Sequence, residues 1–441
     1  MINQYIRPWF ICLNLGLVVF IGCISHKNNM YKDVVVKQLT NSTKGHMLHH
    51  NSVFSPDGQW VVFDGRNDDT KIGETTQIGV VNVLTGEERD IYETLNSSIY
   101  GPGVGAASFH PFEDKVVFIH GLNNADECKP YDITRRFGLC VDLHNPNIGI
   151  HLDARDMLTA YTVGSLRGGT HSHCWSQDGS MLSFTYNDAL VDSDLRTVGV
   201  MIPIHEQIDV PAVAGNNNGM MYSAILTEVV RNPSWGSNEI SKAFDECWVG
   251  HTSTIAFQGN TRNLEGETVT EIYLVDVDPT MILEDPSAVG KYGQRPQVPN
   301  GIVQKRLSFT DKGISDFRHW LRTSADGQYI YALARDDKGF NQIIECTVNT
   351  GNFEYISALP FSISSPINIS YDGDKLTFVA QNNIYLFNIN TREHFKLTDF
   401  DDHDSSIIGA PVFSRKDDKI AFNQFCDNEE NKSVQIILIS L

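Results

Sequence analysis

A short hairpin motif recurs along the whole 441-residue chain and restricts its fold more than any other feature of the sequence. Each copy has an apolar strand end, a polar turn that usually contains Asp-Gly, and a second strand that alternates into Phe or Tyr, which is a hairpin signature. Six copies are clear, and a seventh has lost its turn residues. The copies are VFSPDGQWVVFD from Val53, SFHPFEDKVVFI from Ser108, CWSQDGSMLSFT from Cys174, CWVGHTSTIAFQGN from Cys247, RTSADGQYIYAL from Arg322, NISYDGDKLTFV from Asn368 and VFSRKDDKIAFN from Val412.

Repeated hairpins at this spacing, each followed by further strand-like sequence, predict the four-stranded blades of an all-β propeller with seven blades. The segment KQLT at 37–40 is similar to FKLT at 395–398, which ends a blade, and the chain closes on the strand-like SVQIILISL. We therefore expect the N-terminal strand to complete the last blade and close the ring, which removes two free sheet edges. One propeller domain is predicted over residues 34–441.

Two segments interrupt the repeat pattern. SNEISKAFDEC at 237–247 predicts a short helix before the fourth blade, and the Pro- and Gly-rich stretch at 278–301 predicts a long loop. Long loops on a propeller are often functional, although exposure alone explains many of them.

The first thirty residues predict export. Arg7 precedes an apolar run from Trp9 to Ile21, which is too short for a comfortable membrane span and fits the h-region of a secretory signal. The following FIGC resembles the lipobox of bacterial lipoproteins, which implies cleavage before Cys23 and lipidation of that residue. We expect a signal peptide at 1–22, a tether at 23–33 and an outer membrane lipoprotein on the periplasmic side or cell surface; an uncleaved anchor and plain secretion are the alternatives.

Composition excludes several classes of function. Acidic residues outnumber basic ones by 54 to 34, so the net charge of -20 disfavours nucleic acid as a partner. The sequence has no G-x-S-x-G elbow, P-loop, dinucleotide fingerprint or CxxC pair, and we expect a monomer that contacts the membrane only through its lipid. Cys128 and Cys140 flank one loop and either form a disulfide or stay free.

Several longer motifs resemble the YidR family of uncharacterised bacterial TolB-like propellers with PD40-type repeats. The resemblance runs in order along nearly all of the chain after the leader and implies the propeller fold, but it implies no reaction, so function is predicted from the site. The motifs are FIHG (118–121), YDITRRFG (131–138), LRGGTHSH (166–173), FTYND (184–188), GSNEISKAFDECWVG (236–250), GIVQKRLSFT (301–310) and RHW (318–320).

Histidines accumulate where the inner strands should begin around one axial pocket. His171 and His173 are two apart on a strand, so we expect both on one face, opposite Tyr186 and Phe184. With His251 and His319 they are predicted to bind a divalent transition metal, namely Mn, Zn or Fe. The alternative for each histidine is a hydrogen bond to loops or water.

Other polar residues near the same strand ends receive predicted roles. We predict catalytic groups at Arg167, Tyr186, Asp188 and Arg318, and substrate-binding groups at His46, His120, Arg135, Arg136 and Asn187. The structural alternatives are a loop anchor for Arg167 and strand-end caps for Tyr186 and Asp188. His49, His50 and His403 are predicted to be exposed loop residues, and His110 to replace the serine of the turn motif.

Two functions from different classes follow from this predicted pocket. The first is metal-assisted, lyase-type chemistry on an oligosaccharide or other small ligand, by architectural analogy with oligogalacturonate lyases. The second is a non-catalytic TolB-like envelope binding or scaffold protein, which explains the fold and the export signal but not the accumulation of His and Arg around one mouth.

Overall fold

The computed structural model describes residues 34–401, 406–427 and 432–441. The predicted leader and tether, which include Cys23, lie outside these residues. His403 also lies outside them. The described chain begins with β1 (Val35–Gln38), and blade one follows with β2 (Trp60–Asp64), β3 (Gln77–Asn82) and β4 (Glu88–Glu93). Blade two contains β5 (Val104–Phe109), β6 (Lys115–Gly121), β7 (Arg136–Asp142) and β8 (Gly149–His151).

A short parallel pair, β9 (Ala154–Arg155) and β10 (Ser165–Leu166), separates blades two and three. Blade three contains β11 (Gly169–Trp175), β12 (Leu182–Asn187), β13 (Arg196–Ile208) and β14 (Gly219–Ile225). Blade four contains β15 (Lys242–Trp248), β16 (Thr254–Arg262), β17 (Thr268–Asp276) and β18 (Gln304–Arg306).

The remaining blades have the same antiparallel order from the inner to the outer strand. Blade five contains β19 (Arg322–Thr323), β20 (Tyr329–Arg335), β21 (Asn341–Thr347) and β22 (Phe353–Tyr355). Blade six contains β23 (Asn368–Ile369), β24 (Lys375–Ala380), β25 (Asn383–Asn388) and β26 (His394–Lys396). Blade seven contains β27 (Ile407–Phe413), β28 (Lys419–Asp427) and β29 (Lys432–Ser440).

The N-terminal strand closes the ring as predicted. β1 pairs antiparallel with β29, with Val36 opposite Ile439, and so forms the outer strand of blade seven. The inner segment of blade one is joined to the same blade, because Asn423 Oδ1 accepts a hydrogen bond from Leu48 N (2.7 Å) and its Nδ2 donates to His46 O (2.7 Å). The seven-bladed propeller is therefore closed by contacts from both ends of the described chain.

Each repeat contributes one buried aromatic ring to the core. The rings lie within the second strand of every hairpin, where alternation turns them away from solvent. None is more than 5% exposed: Phe63, Phe118, Phe184, Phe257, Tyr331, Phe378 and Phe422. The core therefore follows the repeat that the sequence displays.

Two local predictions need revision. The helix predicted at 237–247 is wrong, because residues from Lys242 onward form β15, whose pairing with β16 outweighs local propensity. The predicted loop at 278–301 contains α1 (Pro279–Glu284), which is capped by the Asp278 side chain, and a 3-10 turn at Pro286–Val289. Among the described residues no helix has the length and apolarity needed to cross a membrane.

The cysteines of the described chain are all free. Cys128 is exposed and Cys140 is buried, and the two do not form a disulfide in this structure.

Candidate functional site

Bulges in the inner strands shape the centre of the ring. In blades two, three, four and seven the register shifts in the middle of the innermost strand. A residue with positive φ stands at each shift: Ala106 (57°), Ser172 (59°), Asp245 (50°) and Gly409 (71°). Because a bulge re-aims the side chains around it, these residues and their neighbours line the axis.

The bulged strands enclose an axial cavity of about 780 Å³. It lies at the end of the ring where the inner strands begin, away from the Asp-Gly turns, and its volume is typical of small-molecule sites. Blades six and seven supply a mainly apolar wall, with Pro366, Ile408 and Ala410. Five cations line the rest of the cavity: Arg66, Arg136, Arg196, Lys242 and Arg318.

Two of these cations have acidic partners. Arg66 is held by Asp64 through Nε (2.7 Å) and Nη2 (2.9 Å), and its Nη1 donates to Asp69 (2.9 Å). Arg318 lies 3.7 Å from Asp69 and 3.9 Å from Asp245, and its guanidinium stacks over Trp320 at 4.6 Å. The charges on this side of the cavity are therefore partly balanced.

The other three cations have no carboxylate within ion-pair distance in the described parts of the chain. Arg136 donates from Nη1 to the Tyr131 hydroxyl (2.9 Å), and Arg196 donates from Nε to Asn187 Oδ1 (3.2 Å). The Lys242 ammonium lies over the Phe244 ring at 4.3 Å. Burial lowers the pKa of Arg196 to about 10, and the nearby Arg136 and Arg318 contribute. Blades two, three and four thus present unbalanced positive charge to the axis.

Three histidines share the cavity with these cations. His49 and His50 are 7% and 6% exposed, so the prediction of exposed loop residues is wrong for both. His50 stacks on Trp320 with ring centroids 3.8 Å apart. His171 is 4% exposed, and within the described ranges neither of its ring nitrogens has a hydrogen-bond partner. Burial, with Arg136 and Arg196, holds the pKa of His171 well below 6.5, so its imidazole is neutral.

A hydrogen-bonded network separates this cavity from a second one at the turn end of the ring. Arg322 donates to Asn368 Oδ1 (3.0 Å) and His50 O (3.0 Å), and Asn368 donates to the same carbonyl (2.8 Å). The second cavity has a volume of about 330 Å³ and is lined by Cys174, Cys247 and His251, among others.

Comparison with known proteins places the chain in a family. It is 34% identical over 403 residues to the protein described as "Uncharacterized protein YidR" of Escherichia coli (strain K12), covering 87% of this chain and 94% of that protein. The chain belongs to the YidR family. A family model described as "Protein of unknown function (DUF3748)" matches residues 103–215, which include the bulges of blades two and three.

Solved structures with the same fold have different activities. An oligogalacturonate lyase in complex with manganese aligns with a TM-score of 0.53 at 12% identity, covering 92% of this chain and 93% of that chain. A mutant of puromycin hydrolase aligns with a TM-score of 0.52 at 8% identity, covering 88% of this chain and 51% of that one. These likenesses show the propeller fold alone, because fold does not fix chemistry.

The metal site predicted from the sequence does not assemble. His171 pairs with Thr185 rather than Tyr186, and the bulge at Ser172 turns His173 away, so the prediction that both histidines share a face is wrong. His173 bonds Thr170 Oγ1 (3.1 Å) and packs on Gly138 of blade two.

The other two predicted ligands are also placed elsewhere. His319 is bonded at Nδ1 to Phe317 O (2.6 Å) and at Nε2 to Leu333 N (3.0 Å), so both nitrogens are occupied by backbone. His251 is exposed in the β15–β16 turn at the opposite end of the ring, because Cys247 and Trp248 end their strand as Cys174 and Trp175 do, which puts His251 at the turn position of Asp178. In residues 34–401, 406–427 and 432–441 no three His, Cys, Asp or Glu side chains form a metal-binding group. The residues present therefore do not fit the manganese of the lyase.

Three of the predicted catalytic residues form a structural clasp outside the cavity. Arg167 is 1% exposed, lies 3.2 Å from Asp188, and donates to Val289 O (2.7 Å) and Gln294 O (2.6 Å). Tyr186 donates to Asp188 (2.9 Å). The cluster anchors the 278–301 segment to blade three. Arg167 therefore has the contacts of a loop anchor, the alternative to its predicted catalytic role. Arg318, the fourth predicted catalytic residue, does line the cavity.

The predicted substrate-binding residues divide in the same way. Arg136 lines the cavity, and Asn187 positions Arg196 from outside it. The other three lie outside the lining of this cavity and have other contacts: His46 bonds Glu88 (3.1 Å), His120 bonds the Tyr92 hydroxyl (2.9 Å), and Arg135 bonds Asn124 Oδ1 (2.8 Å) within its own loop. His110 Nδ1 accepts from Phe112 N and Glu113 N within the β5–β6 turn, so its structural role is confirmed.

The sequence reasoning missed Arg66, Arg196, Lys242 and Asp245. Arg196 begins the third strand of a blade, whereas the repeat pattern predicts pocket residues before the first strand and after the second. Lys242 and Asp245 lie in the segment for which the sequence predicts a helix. Aligning Cys247-Trp248 of blade four with Cys174-Trp175 of blade three would have placed both residues in an inner strand.

Proposed function

We propose that this protein binds an acidic oligosaccharide in its axial cavity and cleaves it by elimination. The observation that carries the proposal is the group Arg136, Arg196 and Lys242, three cations from adjacent blades that face one cavity. In the described parts of the chain none of them has a carboxylate within ion-pair distance, and Asp245 is the only acid that the same three blades add to the cavity lining. The whole chain has a net charge of -20, so this local charge runs against the composition. Unbalanced positive charge in a concave, partly buried site favours an anionic ligand.

A carboxylate is the anion that best suits these groups. The planar guanidinium groups of Arg136 and Arg196 are able to bind a carboxylate through paired hydrogen bonds, and the ammonium of Lys242 adds a point charge. The apolar wall of blades six and seven suits a ligand that is charged on one side only. The fold similarity to an oligogalacturonate lyase, which is named for an acidic sugar polymer, supports the carbohydrate class.

The chemistry proposed for this ligand is elimination next to the carboxylate. Arginines that neutralise the carboxylate stabilise the negative charge that develops when the adjacent C–H bond loses its proton. His171, held neutral, accepts that proton, and the C–H electron pair is delocalised into the carboxylate as an enolate. As the C–O bond at the neighbouring carbon breaks, that pair forms the C=C bond, and the leaving oxygen keeps the C–O electron pair and takes a proton from solvent. No metal ion takes part in this scheme.

The test compares oligogalacturonate with a neutral galactose oligosaccharide of equal length. We expect calorimetric binding of the acidic ligand alone, together with ultraviolet absorbance from an unsaturated product. Arg196→Gln should weaken binding by roughly tenfold or more, since it removes a charged hydrogen bond worth about 1.5–3 kcal/mol. The control Arg231→Gln removes an exposed arginine that pairs with Asp192 and Asp194.

Two outcomes would contradict the proposal in different ways. Equal binding of the acidic and the neutral sugar would contradict recognition of a carboxylate. Binding of the acidic sugar without product would refute elimination and leave the binding or scaffold function.

We also propose the location that the leader predicts. Lipid attached to Cys23 would hold the propeller as a monomer at the outer membrane, where acidic polysaccharides are encountered, and nucleic acid would have no part. Fractionation of a Cys23→Ala variant is the measurement, and unchanged membrane association would contradict lipidation.

A further inference from the structure

Asp245 is a buried carboxylate at the edge of the cationic cavity. It stands at the bulge of β15 with a φ of 50°, a conformation that Asp and Asn adopt more readily than most residues. The residue is 3% exposed and lines the cavity beside Phe244. The bulge therefore places an acid among the cations that are proposed to hold the ligand.

The carboxylate has no hydrogen bond that would fix it in the charged form. Its Oδ1 lies 3.9 Å from Arg318 Nε, and its Oδ2 has no hydrogen-bond partner among the residues that the structure describes. Burial raises the pKa of Asp245 to about 6, while Arg318, Arg196 and Lys242 oppose the rise. The balance between burial and these three cations consequently decides the charge of Asp245 near neutral pH.

The charged groups around Asp245 come from three parts of the ring. Lys242 and Glu246 share its strand, Arg196 belongs to β13, and Arg318 and Arg322 belong to the inner segment of blade five. Burial raises the pKa of Glu246 to about 8, so this neighbour stays protonated below pH 7. Within this group only Asp245 is therefore expected to titrate between about pH 5 and 7.

A ligand carboxylate would disturb this balance in one direction. It would take up the hydrogen-bonding capacity of Arg196 and add a negative charge near Asp245. Both effects disfavour the charged form of Asp245.

We propose that Asp245 takes up a proton when a carboxylate-bearing sugar binds, and that the resulting carboxylic acid donates a hydrogen bond to the ligand. The proposal rests on the proposed function and adds the protonation state in which the cavity accepts its ligand. Because the bound state holds more protons, affinity is greatest below the pKa of free Asp245 and falls as the pH rises above it.

Calorimetry with oligogalacturonate tests whether the wild-type protein takes up a proton when the ligand binds. Titrations in buffers with different heats of ionisation count the protons taken up on binding. We expect uptake approaching one proton per site near pH 7, and an affinity that falls by up to about tenfold per pH unit above pH 6. The ligand carboxylates stay ionised throughout this range, so they do not contribute.

Asp245→Asn identifies the group that takes up the proton. Asparagine keeps the shape of the side chain and tolerates the positive φ, so we expect a folded protein whose binding takes up no proton at pH 6 to 7, with an affinity that changes less than about twofold over that range. The matched control is Asp153→Asn, because burial also raises the pKa of Asp153 to about 6 but its carboxylate is bonded to Gly138 N and Thr170 outside the cavity. This control should retain the proton uptake of the wild type.

The outcomes separate this proposal from the function on which it rests. Binding of oligogalacturonate with no proton uptake in the wild type would overturn the coupling and leave the proposed function standing. Uptake that persists in Asp245→Asn would assign the proton to another group and also overturn it. Failure of oligogalacturonate to bind at any pH would overturn both.

Discussion

Arg167 shows how a buried charge serves the fold rather than the site. Its guanidinium meets Asp188, two carbonyl oxygens of the 278–301 segment and the face of Tyr161, over which it lies at 4.0 Å. A buried cation needs such compensation, because removing it from water is costly. At the residue scale, therefore, burial and partners distinguish this arginine from Arg196, which lines the cavity and has no carboxylate within ion-pair distance among the described residues.

Arg167→Met should destabilise the protein by about 3–5 kcal/mol, because it leaves Asp188 buried without its cation. Urea denaturation measures the loss, and the exposed Arg231→Met should change the free energy of unfolding by less than about 0.5 kcal/mol. Loss of oligosaccharide cleavage at unchanged stability would instead restore the catalytic role predicted from the sequence.

The inner strand is the element that decides which side chains meet at the axis. Strict alternation predicts His171 and His173 on one face, and a single residue with positive φ between them breaks that relation. Nothing in THSHC marks Ser172 as the bulge, since serine has no preference for this backbone conformation. The strand was therefore predictable from its sequence, whereas the direction of its side chains was not.

Substitutions at Ser172 test the bulge directly. Ser172→Val should cost about 1–2 kcal/mol or more, because a β-branched residue is strained at a φ of 59°. Ser172→Gly should be neutral or stabilising by up to about 1 kcal/mol, since glycine adopts this conformation readily. Thermal and urea denaturation of the two variants give the comparison, and equal stability would argue against a positive φ at this position.

Over the whole molecule, the ring and its number of blades follow from the repeated turns, and the closing strand follows from the similarity of KQLT to FKLT. The charge of the cavity does not follow in the same way. Arg136, Arg196 and Lys242 are far apart in the chain and lie in different structural contexts, so only the closed ring brings them together. Local patterns thus predicted the scaffold, and long-range geometry determined the site.

Removing residues 34–40 should open the ring. The deletion takes away β1 and the Thr40 hydroxyl that accepts from Ile436 N (2.9 Å), and leaves β29 as an unpaired edge. We expect a lower free energy of unfolding and concentration-dependent self-association, since exposed edges pair with other chains. Denaturation and sedimentation measure these effects, and a stable monomer would show that closure by β1 is dispensable.

The network of Arg322, His50 and Asn368 also bears on how the proposed oligosaccharide would reach its site. These hydrogen bonds lie between the larger cavity and the second one at the turn end of the ring. We therefore expect such a ligand to enter and leave at the end where the inner strands begin, so that a short chain, or the free end of a longer one, binds better than the middle of a polymer.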